Sequence, residues 1–207
     1  MERLTIVTGN ATAWLQPDVD TDTITPMRRV LENGAALGTY SFEAYRFLGG
    51  TGDSGIKNPD FPLNYPENRD AVILIVGPNF GCGSSRETAP EGIRMCGYRV
   101  LIGSSFGTIF FKNCCQQGVL PVVISEDQVR KLASYANNSK SFYCVNLEEC
   151  TITAPNGEVI EFSLSEYRRQ GLLNGLDDVR TTLIRKEKID DYFSRDRILR
   201  PWIWTMI

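Results

Sequence analysis

The sequence predicts a layered α/β domain, and three observations carry the prediction. Residues 71–76, 98–102 and 120–124 are short, almost wholly apolar runs rich in Val, Ile and Leu, the pattern of strands buried on both faces. Helix-like stretches at 86–96, 108–117 and 126–136 alternate with them, as in a strand–helix–strand core. The composition is that of a globular chain: 207 residues, 42% apolar and 23% charged, enough to bury one large core without disulfide staples.

Taken in order, residues 4–7 form a short strand, and Asp18-Val19-Asp20-Thr21-Asp22 is an acidic, turn-forming stretch that closes at Pro26. Residues 30–47 mix helical patches with glycines, while 49–53 and 58–66, with their Gly, Pro and Asn, read as long loops. A loop at 77–85 separates the strand at 71–76 from a helix of about three turns at 86–96. The helix at 108–117 is stopped by Gly118. Residues 142–145, 151–153 and 159–162 form a small antiparallel set, with Asn156-Gly157 marking a hairpin turn. Residues 164–173 are helical. The domain so built spans 1–183, and a charged, partly helical tail, 184–207, follows it. Arg185-Lys186-Glu187-Lys188 is a solvated helix face. Trp202 and Trp204 anchor either a subunit contact or packing onto their own domain.

The same composition excludes several functions. Lys plus Arg is 22 and Asp plus Glu is 25, a net charge of −3, so no nucleic-acid partner is expected. There is no histidine, which removes Ser-His-Asp and Cys-His catalysis and His-ligated zinc or haem. The cysteines, at 82, 96, 114, 115, 144 and 150, show no Cys-x-x-Cys spacing. No signal peptide is visible and no apolar run is long enough to span a bilayer. The expectation is a cytoplasmic protein with no membrane partner and with reduced thiols packed as small hydrophobes.

The chemistry concentrates in Asn79-Phe80-Gly81-Cys82-Gly83-Ser84-Ser85-Arg86-Glu87. Gly81, Cys82 and Gly83 form a tight backbone turn suited to an anion. The predicted helix start adds unpaired N–H groups, and Arg86, in its first turn, adds a planar fork for carboxylate or phosphate. No Gly-Lys-Ser/Thr follows, so this is not a Walker loop. Two readings stand side by side: an anion site, or Ser84 or Ser85 simply capping the helix with Glu87 as its capping-box partner. The second motif, Asp18 to Pro26 followed by Arg28 and Arg29, lacks the Gly and closing Glu of an EF-hand. On its own it reads as an Asx-turn leading into a strand or helix.

Together with Asn58-Pro59-Asp60-Phe61, Ser105-Phe106, Gly118-Val119-Leu120-Pro121 and Leu172-Leu173-Asn174-Gly175-Leu176-Asp177-Asp178, these motifs resemble the swivelling-domain family of aconitase and isopropylmalate isomerase, in its separate small-subunit form. The resemblance implies a layered β/β/α swivelling domain of the aconitase C-terminal type. It implies a hydro-lyase, active only with a large subunit, that isomerises 2- and 3-isopropylmalate by dehydration and rehydration in leucine biosynthesis. Related readings are the same chemistry on citraconate, 2,3-dimethylmalate or a similar small hydroxy-dicarboxylate, or a non-catalytic module that binds carboxylates or a partner.

In that family a [4Fe–4S] cluster belongs to the large subunit, and this chain is expected to hold no metal or cofactor itself. The resemblance makes Ser84 the base and places Asp22 near the iron-bound hydroxyl. Ser85 and Arg86 then bind substrate, with Arg28 and Arg29 following Pro26. Thr88 stands where the family usually has His. Met27-Arg28-Arg29-Val30-Leu31 replaces the usual aromatic-leucine pair, and the tail runs past the usual family length.

Overall fold

The computed structural model describes residues 1–33, 36–138 and 141–204. Residues 34–35 of the expected mixed stretch and 205–207 of the expected tail lie outside the described residues. In chain order the elements are β1 (Ile6–Trp14), α1 (Thr21–Ile24), α2 (Met27–Asn33), α3 (Leu37–Tyr40), α4 (Glu43–Arg46), three short 3₁₀ turns, β2 (Ile73–Val76), α5 (Thr88–Met95), β3 (Val100–Gly103), α6 (Thr108–Gln117), β4 (Leu120–Val123) and α7 (Glu126–Ala133). There follow β5 (Phe142–Asn146), β6 (Thr151–Thr153), β7 (Val159–Glu161), α8 (Glu166–Asn174), α9 (Asp178–Leu183), α10 (Lys186–Leu199) and α11 (Pro201–Trp204).

The strands make one mixed sheet in the order β4-β3-β2-β1-β5-β6-β7. β1 joins two halves. Its Ala11–Trp14 segment runs parallel to β2, and its Ile6–Asn10 segment runs antiparallel to β5. The parallel half obeys the side-chain alternation of a strand. Ile73, Ile75, Val100 and Ile102 join Val129 and Leu132 of α7 and Tyr143, Val145 and Ile152 of the antiparallel half in one core. Leu74, Val76 and Leu101 face the other way, into Ile93 of α5 and Phe110 and Cys114 of α6. Ser125 and Gln128 close α7 with a capping box, and Gly118, at φ 77°, ends α6.

Two of the differences from the expected boundaries matter most. The first strand is not residues 4–7 but Ile6–Trp14. Its middle, Thr8-Gly9-Asn10-Ala11-Thr12, carries no apolar run, yet Ala11 and Thr12 are buried. The helix expected from residue 86 starts at Thr88 instead, so Arg86 precedes the helix rather than sitting in its first turn.

The end of β1 anchors the segment before β2. The Trp14 ring stands edge-on to Phe42, Tyr45 and Phe61 at centroid distances of 5.6, 5.0 and 5.1 Å, a favourable quadrupole arrangement. At the other end of the chain, Trp204 folds back on α10: its indole N–H donates to Asp196 Oδ2 at 3.1 Å and its ring meets Phe193 at 5.3 Å. Trp202 stays largely exposed. Among the described residues no helix is long and apolar enough to cross a membrane.

Candidate active site

The loops that follow β1, β2 and β3 leave the carboxyl ends of three neighbouring parallel strands, the usual place for a ligand site in such sheets. Short bridges weld them together. Asp20 pairs with Cys82, and Phe80 with Phe106, each in parallel register. The Gly81 N–H donates to Val19 O at 2.7 Å and the Thr21 N–H to Cys82 O at 3.0 Å. Asn79 ties the remaining corners: its N–H donates to Ser105 Oγ at 2.8 Å and its side-chain amide to Asp18 Oδ1 at 2.7 Å. The turn has the left-handed backbone that glycine permits, with φ 73° at Gly81 and 90° at Gly83.

This frame brings Ser84, Asp22 and Arg86 together, although 62 or more residues separate the two motifs in sequence. The Ser84 and Thr21 hydroxyl oxygens are 3.0 Å apart, and the Ser84 N–H donates to Thr21 Oγ1 at 3.3 Å. Arg86 forms an ion pair with Asp22 and donates to the Thr25 carbonyl at 3.4 Å. Asp22 also accepts the Met27 N–H at 3.1 Å. Asp20 caps α1 by accepting the Thr23 N–H at 2.7 Å. Burial pushes the Asp20 carboxyl up, but the hydrogen bonds from Thr23 and the charge of Arg86 outweigh it, leaving a net lowering. The Cys82 thiol moves the other way: burial, then the charges of Asp20 and Asp18, raise it, so it stays protonated and is a poor nucleophile.

The helix-capping reading of the serines fails. Glu87 is the residue that precedes α5, and it makes no side-chain capping bond, while the Ser84 hydroxyl is turned to Thr21. Pro90 lies in the first turn of α5 and has no N–H to offer a ligand. An anion here is therefore met by the loop and by Arg86 more than by the helix. Gly83, Ser84, Ser85 and Asp22 are all exposed, so the site is an open face. A cavity of about 730 Å³ lies elsewhere, lined by Tyr40, Arg46, Lys57, Met95 and Cys96 at the far end of α5.

Arg28 and Arg29 are engaged away from the serine loop. The Arg29 side chain is only 4% exposed. It donates to Glu43 Oε2 and to Asp53 Oδ1, both at 2.8 Å, and stacks on the Tyr40 ring at 4.1 Å. Arg28 donates to Asp53 Oδ2 at 2.6 Å on the surface. The Asp53 acceptor could not be found from spacing. Thr21 could have been, because it stands between the two aspartates of the motif. Among the described residues no three His, Cys, Asp or Glu side chains gather as a metal site.

Fold and loop define a domain of the aconitase C-terminal type: the family model of the aconitase C-terminal domain matches residues 1–127. The chain is 43% identical to a 3-isopropylmalate dehydratase small subunit of Rhodospirillum centenum over 98% of both chains. It is 37% identical to one of Leptospira interrogans over the whole of both. A solved 3-isopropylmalate dehydratase from Methanocaldococcus jannaschii shares the fold, with a TM-score of 0.64 at 24% identity over 90% of this chain and 99% of that one. The chain belongs to the 3-isopropylmalate dehydratase small-subunit family of aconitase-type domains. The Rhodospirillum centenum and Leptospira interrogans relatives match it over 98–100% of both chains, so they are of similar length, while the Methanocaldococcus jannaschii chain is shorter.

Proposed function

We propose that this chain is the small subunit of a two-subunit hydro-lyase that interconverts 2- and 3-isopropylmalate by dehydration and rehydration. The observation that carries the reading is end-to-end collinearity with small subunits of that enzyme. The open face of Ser84, Ser85 and Arg86 beside Asp22 supports it.

In this reading Ser84 takes the proton from the carbon next to a substrate carboxylate. Arg86 receives that carboxylate bidentately, exchanging its bond to Asp22 for one to the substrate. Ser85 and the Gly81-Cys82-Gly83 backbone line the anion's path. Asp22, released from Arg86, stands by the departing hydroxyl. Arg28 and Arg29 take no part at the serine loop: Arg28 pairs with Asp53 on the surface, and Arg29 holds α2 in place through Glu43 and Asp53. A [4Fe–4S] cluster would belong to the large subunit. Bound there, such a cluster would supply the Lewis acid that the loss of hydroxide requires.

The test is reconstitution with the large subunit, followed by assay of 2-isopropylmalate and of citraconate hydration. Turnover of isopropylmalate only by the complex is the expected result. Turnover of citraconate alone would reassign the substrate. Full activity of the isolated chain would overturn the two-subunit reading.

A further inference from the structure

Thr21 meets Ser84 through both the serine's amide and its hydroxyl, and Thr21 is itself rigidly held. It is 1% exposed; its N–H donates to Cys82 O and its carbonyl accepts from the Thr25 N–H, both at 3.0 Å. Branching at Cβ restricts its χ1 further. Ser84, by contrast, sits on an exposed turn. A fixed hydroxyl on one loop is thus set against the reactive hydroxyl of another.

We propose that Thr21 is the positioning residue for the base: its O–H donates to Ser84 Oγ and stabilises that oxygen as an alkoxide. The inference rests on the reading of Ser84 as the base. An alkoxide has no proton to donate, so the 3.0 Å contact must then be filled by the threonine proton. Thr21 Oγ1 still has a lone pair for the Ser84 N–H, and the two bonds fix the serine from both sides. In the step itself the substrate's C–H proton passes to Ser84 Oγ, the electron pair of that bond stays on carbon, and Thr21 keeps its own proton. When Ser84 is protonated either hydroxyl can donate, so Thr21 need not move between dehydration and rehydration. A donor aimed at developing or resident negative charge is worth more in such a site than in water.

The experiment uses the reconstituted complex. Thr21→Val keeps the shape and removes the hydroxyl; kcat should fall on the order of 10², with KM changed by less than about threefold. Thr21→Ser, which restores the donor, should recover most of the loss. In a Ser84→Ala background, itself strongly impaired, Thr21→Val should cost nothing further. If Ser84→Ala leaves kcat intact, the reading of Ser84 as base fails. If Ser84→Ala is inactive but an assembled Thr21→Val complex turns over like wild type, whatever its melting point, the Thr21 proposal alone is overturned. An equal further loss in the Ser84→Ala background also overturns it. Should Thr21→Val not assemble, Thr21→Ala is measured against the same outcomes.

Discussion

Replacing Gly81 with alanine tests how tightly the serine loop is built. At φ 73° an L-residue pays about 1–2 kcal/mol for the left-handed backbone. The added methyl would also lie 2.2 Å from Phe110 Cγ and 2.4 Å from its Cδ1, far inside the roughly 3.5–4.0 Å of an ordinary carbon contact. Phe110 cannot swing away, because it is 1% exposed and held by Phe80 at 5.7 Å and Phe106 at 6.4 Å. Nor can the loop retreat, because the Gly81 N–H is bound to Val19 O at 2.7 Å. Overpacking of this kind adds about 1–3 kcal/mol, for a total of about 2–5. At roughly 2–4 °C per kcal/mol for a chain of this size, Gly81→Ala should lower the melting temperature by about 4–20 °C. Gly157→Ala is the control: φ is 85° but nothing lies within 4 Å of the added methyl, so only the backbone cost remains, about 2–8 °C. Thermal unfolding of both small subunits by circular dichroism gives the comparison. Melting points within about 2 °C of one another would refute the claim that Phe110 and the loop are locked together.

Three further outcomes follow from the charges. Arg86→Lys keeps the charge and loses the planar fork, so steady-state kinetics of the complex should show KM rising about tenfold with a smaller change in kcat. Arg29→Met takes the guanidinium away from buried Glu43, which keeps the Gly52 N–H at 3.0 Å; the change should cost about 3 kcal/mol in a urea titration, and the surface change Arg28→Met far less. Hydrogen bonds from Arg28 and then Arg29 hold the Asp53 carboxyl below its ordinary value. Its contribution is therefore present above the unfolded carboxylate value and lost as pH falls through the lowered folded one. Wild type and Asp53→Asn should differ in melting point at pH 7, and the gap should narrow as pH falls below the ordinary carboxylate range; a gap that stays constant with pH would contradict this.

The parallel strands were legible because each is buried on both faces, which leaves no choice but a run such as Ile73-Leu74-Ile75-Val76. β1 was read short because it passes between two half-sheets with small residues. Gly9, for example, leaves room for Val72, whose Cγ2 would be 2.7 Å from an added Cβ. The three-residue hairpin loop at Pro155-Asn156-Gly157 was marked by its glycine, whose N–H donates to Ala154 O at 2.9 Å. In the site, the two motifs were legible separately, since each carries unusual residue types. What joins them was not: the Asp20–Cys82 bridge and the capture of Arg29 by Glu43 and Asp53 are tertiary events. The capping-box pattern misled because the backbone before Thr88 is committed to crossing over Thr21, and local preference yields to that connection.

The first strand has a consequence for how the chain is made. Ala11 finds Ile73 early in synthesis, but Ile6 must wait for Asn146. A nascent chain that has delivered β4 holds all four parallel strands while the Ile6–Asn10 edge of β1 still presents an open ladder of N–H and C=O groups. The face carrying Ile73 and Ile75 also lacks Tyr143, Val145 and Ile152 at that stage. The stretch matched by the aconitase-type domain, residues 1–127, is in this sense an unfinished sheet. A stalled or clipped chain ending there is expected to self-associate through that edge, and adding a peptide that spans β5 should suppress it.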